Sequence, residues 1–169
     1  MLFIGIITDQ KSENDIKKLL LNNNFLTENN VIFIKEKNID NIKNVHFDTV
    51  VVNKQFDKID ELNKILENAK NVILNIDTIA NNKELNIANA SLITYGFNSK
   101  SSITISSVTD DDVLIYLQKN IYNDYGEIEV QEIKIENNPN YSIYDLIIVL
   151  TLFLMYVPKQ EKININGIK

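Results

Sequence analysis

Cysteine, tryptophan and arginine are absent from the sequence, and glycine, proline and histidine are scarce at four, two and one residue. Without cysteine there are no disulfides, no thiolate metal sites and no cysteine nucleophile. Without arginine the chain lacks the planar fork that grips phosphates and carboxylates with two parallel bonds, and all the positive side-chain charge is lysine. The 17 lysines are outnumbered by 23 acidic residues, for a net charge of −6, and nowhere are they dense enough to track a phosphate backbone. Nucleic acid is therefore not an expected partner. Asparagine, by contrast, supplies 26 of the 169 residues, an enrichment read as compositional bias alongside Lys and Ile.

Long apolar runs are missing too. The longest, residues 146–157, falls short of the roughly 20 residues that cross a bilayer, so a buried helix is expected there and no membrane span. Met1 leads directly into Leu2-Phe3-Ile4-Gly5-Ile6-Ile7 and then polar residues, without the basic start and small-residue cleavage site of a signal peptide; a cytoplasmic location is the expectation. The length suits one domain. Residues 1–157 are assigned to it, and residues 158–169 form a polar tail.

What is present is alternation of strand and helix. Residues 2–8 read as a buried strand and residues 13–21 as a helix with Ile16, Leu19 and Leu20 on one face. Residues 31–34 and 48–52 are short, β-branched apolar runs, as in strands covered on both faces. Ile59, Leu62, Ile65 and Leu66 keep helical spacing within 57–70, and 72–74 returns to strand. The pattern predicts an α/β fold with a mainly parallel sheet flanked by helices. After Ser91 come strand-like runs at 92–95 and 103–105, then a hairpin around Asn123-Asp124-Tyr125-Gly126. The apolar phase slips at Gln131-Glu132, which predicts a bulge. Residues 141–156 are apolar nearly all round and predict a buried final helix.

Gly5 to Ser12, Gly-Ile-Ile-Thr-Asp-Gln-Lys-Ser, lies between the first strand and the first helix, where a phosphate-binding loop sits. Gln10 stands where such a loop needs its second glycine, while Lys11 and Ser12 keep the remaining positions. Lys11 and Ser12 could contact a phosphate at the helix N-terminus; alternatively Ser12 or Asn14 caps the helix and Lys11 is solvated. Asp57 and Asp60 could be a metal pair or helix-end partners, and Asn75 and Asp77 could be ligand groups at a strand end or turn formers. His46 has no partner at a recognisable spacing, and Asp110-Asp111-Asp112 lacks the spaced oxygens of a calcium loop.

Four segments in order resemble the central, ATP-binding domain of the Mur ligases, the amide-forming enzymes of peptidoglycan precursor synthesis. They are Ile4-Gly5-Ile6 with Lys11-Ser12; the strand 48–53 ending in Asn53 with Asp57-Lys58-Ile59-Asp60; residues 69–77 with Asn75 and Asp77; and Thr94-Tyr95-Gly96-Phe97. The resemblance implies a P-loop-NTPase-like fold over residues 1–157 and a nucleotide site at Gly5, Thr8, Lys11, Ser12, Asn75 and Asp77. It also implies lost catalysis, because Gln10 replaces a loop glycine, Lys58 stands at the metal-binding histidine, and the adenine motif is absent near residues 141–145. Lys64 and Lys70 both remain open as the counterpart of the family's carbamylated lysine. No catalytic residue, metal site or bound cofactor is expected, though a vestigial site for ATP with magnesium is conceivable at those positions. The expected function is binding, to a protein partner or a second copy. The alternative is a small nucleotide- or phosphate-binding enzyme using Lys11, Ser12 and Asp77.

Overall fold

The computed structural model describes residues 2–23, 31–79 and 84–157; the polar tail at 158–169 lies outside them. In chain order the elements are β1 (Ile4–Ile7), α1 (Gln10–Asn22), β2 (Val31–Phe33), α2 (Ile39–Ile42), β3 (Thr49–Val52), α3 (Ile59–Leu66), β4 (Asn71–Asn75), β5 (Ser91–Tyr95), β6 (Ile103–Val108), β7 (Asp112–Leu117), β8 (Ile121–Asn123), β9 (Gly126–Ile128), β10 (Gln131–Glu136) and α4 (Ile143–Tyr156). The fold is α/β, with one eight-stranded sheet in the order β10-β7-β6-β5-β4-β3-β1-β2 and a separate two-stranded sheet of β8 and β9.

From β2 across to β5 all pairs are parallel, and the β-branched residues of β1, β3 and β4 are buried on both faces. Ile4, Ile6, Val51, Ile73 and Ile93 join Ile16, Leu19 and Leu20 of α1 and the side chains of α4 in one core. Ile7, Val50, Val52, Val72 and Leu74 join Ile39 of α2 and Leu62, Ile65 and Leu66 of α3 in the second. Strand alternation feeds two cores at once, which is why these runs look continuous in sequence. Gly5 sits inside β1, where an added Cβ would come within 2.7 Å of Ile34 and 3.1 Å of Phe47. Its small size serves packing of the second core.

β5 and β6 are also parallel but share a single residue pair, Tyr95↔Ile103. A full parallel pairing needs a crossover of a dozen or more residues; here residues 96–102 only turn the chain, so β6 starts level with the end of β5. β6, β7 and β10 then pair antiparallel, with a register shift between Ile105 and Ser107. The expected bulge at Gln131-Glu132 is not there: the β7–β10 register runs unbroken from Gln131 to Glu136. The phase slip marks instead the passage from β9, in the small hairpin, to β10 in the large sheet. The hairpin itself turns at Asp124-Tyr125, with Asn123 opposite Gly126. It packs on α4 and donates from Asn123 Nδ2 to the Leu154 carbonyl at 2.6 Å. With the sheet, α1 and this hairpin around it, α4 is buried on all sides, and its all-round apolar sequence follows. No helix among the described residues is long and apolar enough to cross a membrane.

Candidate functional site

In a sheet wound outward in two directions, ligands bind beyond the carboxyl ends of the strands where the winding reverses. Here the chain moves from β1 to β2 on one side, then to β3 on the other, so the reversal lies between β1 and β3. One residue past the ends of β1 and β3, Thr8 and Asn53 meet: Asn53 Nδ2 donates to Thr8 Oγ1 at 2.9 Å. Asn75 at the end of β4 donates through Nδ2 to Asn53 Oδ1 at 2.8 Å, and the Tyr95 hydroxyl at the end of β5 donates to the same oxygen at 2.6 Å. Asn75 Oδ1 in turn accepts the backbone N–H groups of Asp77 and Thr78.

Thr8, Asn53, Asn75 and Tyr95 are all buried. Both lone-pair directions of Asn53 Oδ1 and of Asn75 Oδ1 are used within the row, leaving neither oxygen a vacant acceptor position. Burial pushes the Tyr95 phenol well above its ordinary range, so it stays a donor. The row is a closed brace across four parallel strands.

At the N-terminus of α1 the free N–H groups that would meet a phosphate are occupied from within. Asp9 caps the helix, and its Oδ1 accepts from Lys11 N at 2.9 Å and Ser12 N at 3.0 Å. The cap is therefore Asp9, and neither Ser12 nor Asn14: the helix starts at Gln10, earlier than its apolar spacing indicates. A carboxylate in this position already satisfies the donors and the helix dipole. Lys11 is exposed, while Ser12 is buried beneath α4 close to Asp145. Asp145 is almost completely buried, and its Oδ1 has no partner, as is true of Asp15 Oδ2 on α1. Burial foremost, and the negative charge of Asp15 after hydrogen bonds from Ser142 and Ser12 are set against it, raise the Asp145 carboxyl above its ordinary range.

Asp77, in the turn after β4, reaches across to the loop after β5. Its Oδ2 accepts from Phe97 N at 2.5 Å and from the Tyr144 hydroxyl of α4 at 3.0 Å. Burial, then the hydrogen bond to Asp77, pushes the Tyr144 phenol up to about 12. Gly96 lies under this carboxylate with φ +151°, and a Cβ there would stand 2.5 Å from Asp77 Oδ2. The ring of Tyr144 stands edge-on to those of Phe97 and Tyr95, at 5.5 and 6.2 Å between centroids.

The six residues named from sequence thus divide. Thr8 and Asn75 belong to the buried row, Lys11 and Ser12 to the capped helix, Asp77 to the Gly96 loop, and Gly5 to the core. Asp57 and Asp60 are exposed, and Lys58 beside them pairs with Asp40 of α2 at 2.9 Å. His46 is exposed. Among the described residues no cluster of three or more His, Cys, Asp or Glu side chains is arranged to hold a metal. Asn53, Tyr95, Tyr144 and Asp9 complete the constellation. The signal for the first two was present, since Asn53, Asn75 and Tyr95 each stand where an apolar run ends. No protein-family model and no curated protein matches the chain.

Proposed function

We propose that this protein is a catalytically inactive relative of the Mur ligase central domain and acts by binding, to a protein partner or to a second copy of itself. The observation that carries this is the Asp9 carboxylate on the N–H groups of Lys11 and Ser12, the position a nucleotide phosphate would take. Phosphate would have to displace a covalently tethered anion, with Glu13 in the same first turn, the carboxylates of Asp15 and Asp145 beside Ser12, and Lys11 as the one lysine of that turn. The closed row of Thr8, Asn53, Asn75 and Tyr95 adds to this, since it spends on the fold the polar groups a ligand would use. Kinship is supported by placement: the four resembling segments supply β1, β3, β4 and β5, four adjacent strands whose terminal polar residues stand side by side. The setting that goes with the resemblance is cell-wall metabolism.

Thermal unfolding with and without Mg-ATP, ADP and a nucleotide-sugar tests this. A ligand at 100 times its Kd adds about 2.7 kcal/mol, a rise of roughly 5 to 10 °C for a chain of this size. No rise is expected with any of the three. A rise abolished by Lys11→Ala would overturn the proposal in favour of a nucleotide-binding enzyme.

A further inference from the structure

β10 ends the large sheet, and no described strand pairs with its outer side. It is six residues long, contains no proline and runs without a bulge against β7, so it lacks several devices that blunt an exposed edge. Its charges do not blunt it either. The sequence Gln131-Glu132-Ile133-Lys134-Ile135-Glu136 alternates in sign on one face, with Glu132, Lys134 and Glu136 exposed. Lys134 Nζ already pairs with Asp112 Oδ2 of β7 at 2.6 Å and Glu132 Oε1 accepts from Ser106 Oγ of β6 at 2.6 Å, so a partner strand would share these two side chains with their own sheet. Charges guard an edge against its own copy only if like signs come opposite each other.

The hydrogen-bond phase of the ladder fixes which groups are available. Asn137 N donates to Asp111 O at 2.7 Å, continuing the β7–β10 register by one pair. Alternate pairs in an antiparallel ladder exchange bonds, so Gln131, Ile133 and Ile135 are turned to β7 and Glu132 and Lys134 turn their N–H and C=O groups outward. A second copy related by a two-fold axis through Ile133, perpendicular to the sheet, brings Glu132 of each strand opposite Lys134 of the other. Those are the residues with free backbone groups, so both charge pairs coincide with bonded backbone pairs. The neighbouring register, centred on Lys134, sets Lys134 against itself and Glu132 against Glu136. A register centred on Ile135 also sets Lys134 against Glu136, but it places half of the strand, residues 131–133, opposite residues 137–139 beyond its end, where Pro139 has no N–H to donate.

We propose that this protein self-associates through β10, two copies joining edge to edge about Ile133 with reciprocal Glu132–Lys134 pairs. This rests on the proposal that the chain acts by binding and names the partner as a second copy. Joined this way, the sheet is continuous and both α4 helices lie on the same face.

Sedimentation velocity over a concentration series reads the association. Wild type is expected to dimerise. Glu132→Lys and Lys134→Glu should each weaken the dimer about tenfold or more, because each creates two like-charge pairs. Mixing the two single variants should restore association as a heterodimer, and the double swap should restore it in one chain. Glu136→Lys, whose position faces Val130 in this register, should have little effect. The mixing experiment is internally controlled, since a variant that failed to fold could not be rescued by its complement. A wild type that stays monomeric, single variants that dimerise as before, or a mixture that does not associate would each overturn the proposal. Loss of association with Glu136→Lys instead would overturn the register. No nucleotide enters this test, so its failure leaves the thermal-shift result standing on its own.

Discussion

Asn53 is the side chain on which three neighbours depend. It donates to Thr8 and accepts from Asn75 and Tyr95, all out of reach of water. Truncation to alanine leaves the Asn75 amide and the Tyr95 hydroxyl as buried donors without an acceptor, at about 1–3 kcal/mol for each orphaned group. Asn53→Ala is expected to lower unfolding free energy in urea by roughly 2–4 kcal/mol. Tyr95→Phe removes a donor and strands nothing, because Asn53 still accepts from Asn75, and should cost about 1 kcal/mol. Single residues were only partly legible in the sequence. Asn75 drew attention as a polar residue at a strand end and Thr8 only through the family resemblance, but their link through Asn53 spans 45 and 22 positions and exists only once the parallel register is set. Lys11 was legible as a motif residue and its role was not, because the decisive neighbour is the Asp9 carboxylate, an ordinary turn residue until the helix forms behind it.

At the scale of elements, α1 and α4 meet with a poorly paired acid on each side, Asp15 and Asp145. Burial and its neighbour hold the Asp145 carboxyl above the usual range, so the folded state keeps that proton more tightly than the unfolded chain does. The group's contribution to stability is complete below its unfolded value near about pH 4 and is lost as pH rises through the folded value. Glu13 on the same helix has the opposite sign. Burial is outweighed there by hydrogen bonds and charge from Lys17 and Lys35, so its contribution is present above the unfolded value and is lost as pH falls through the folded one. Urea unfolding across the acid range should therefore find Asp145→Asn gaining stability relative to wild type as pH rises, with Glu13→Gln losing it. A constant offset for Asp145→Asn would mean that its carboxyl titrates alike in both states. Elements whose apolar pattern persists over several residues were read correctly: α1 by its helical period, α4 by its long all-apolar run and the buried strands by their short ones. α2 and the separation of β9 from β10 were not, since a four-residue helix has no period to read and a phase slip looks the same whether a strand bulges or changes sheets.

The molecule as a whole depends on its last element. α4 contributes Leu146, Ile147, Ile148, Val149, Leu150, Leu152, Phe153, Leu154 and Met155 to a core that reaches from Ile4 on β1 to Ile135 on β10. A chain stopped at residue 140 is expected not to fold, with near-UV circular dichroism lost and amide proton dispersion collapsed. A folded fragment would mean that the parallel half supports itself. The class of the fold was legible because strand runs and helix faces alternate; the width of the sheet was not, because it depends on the one-pair contact between Tyr95 and Ile103. That contact has a mechanical meaning. Five pairs join β4 to β5 and one joins β5 to β6, so the sheet amounts to two plates meeting at a narrow joint, with α4 laid across both as a splint. Tension applied between β2 and β10 would concentrate at this joint, and the plates would part there only after the splint had lifted.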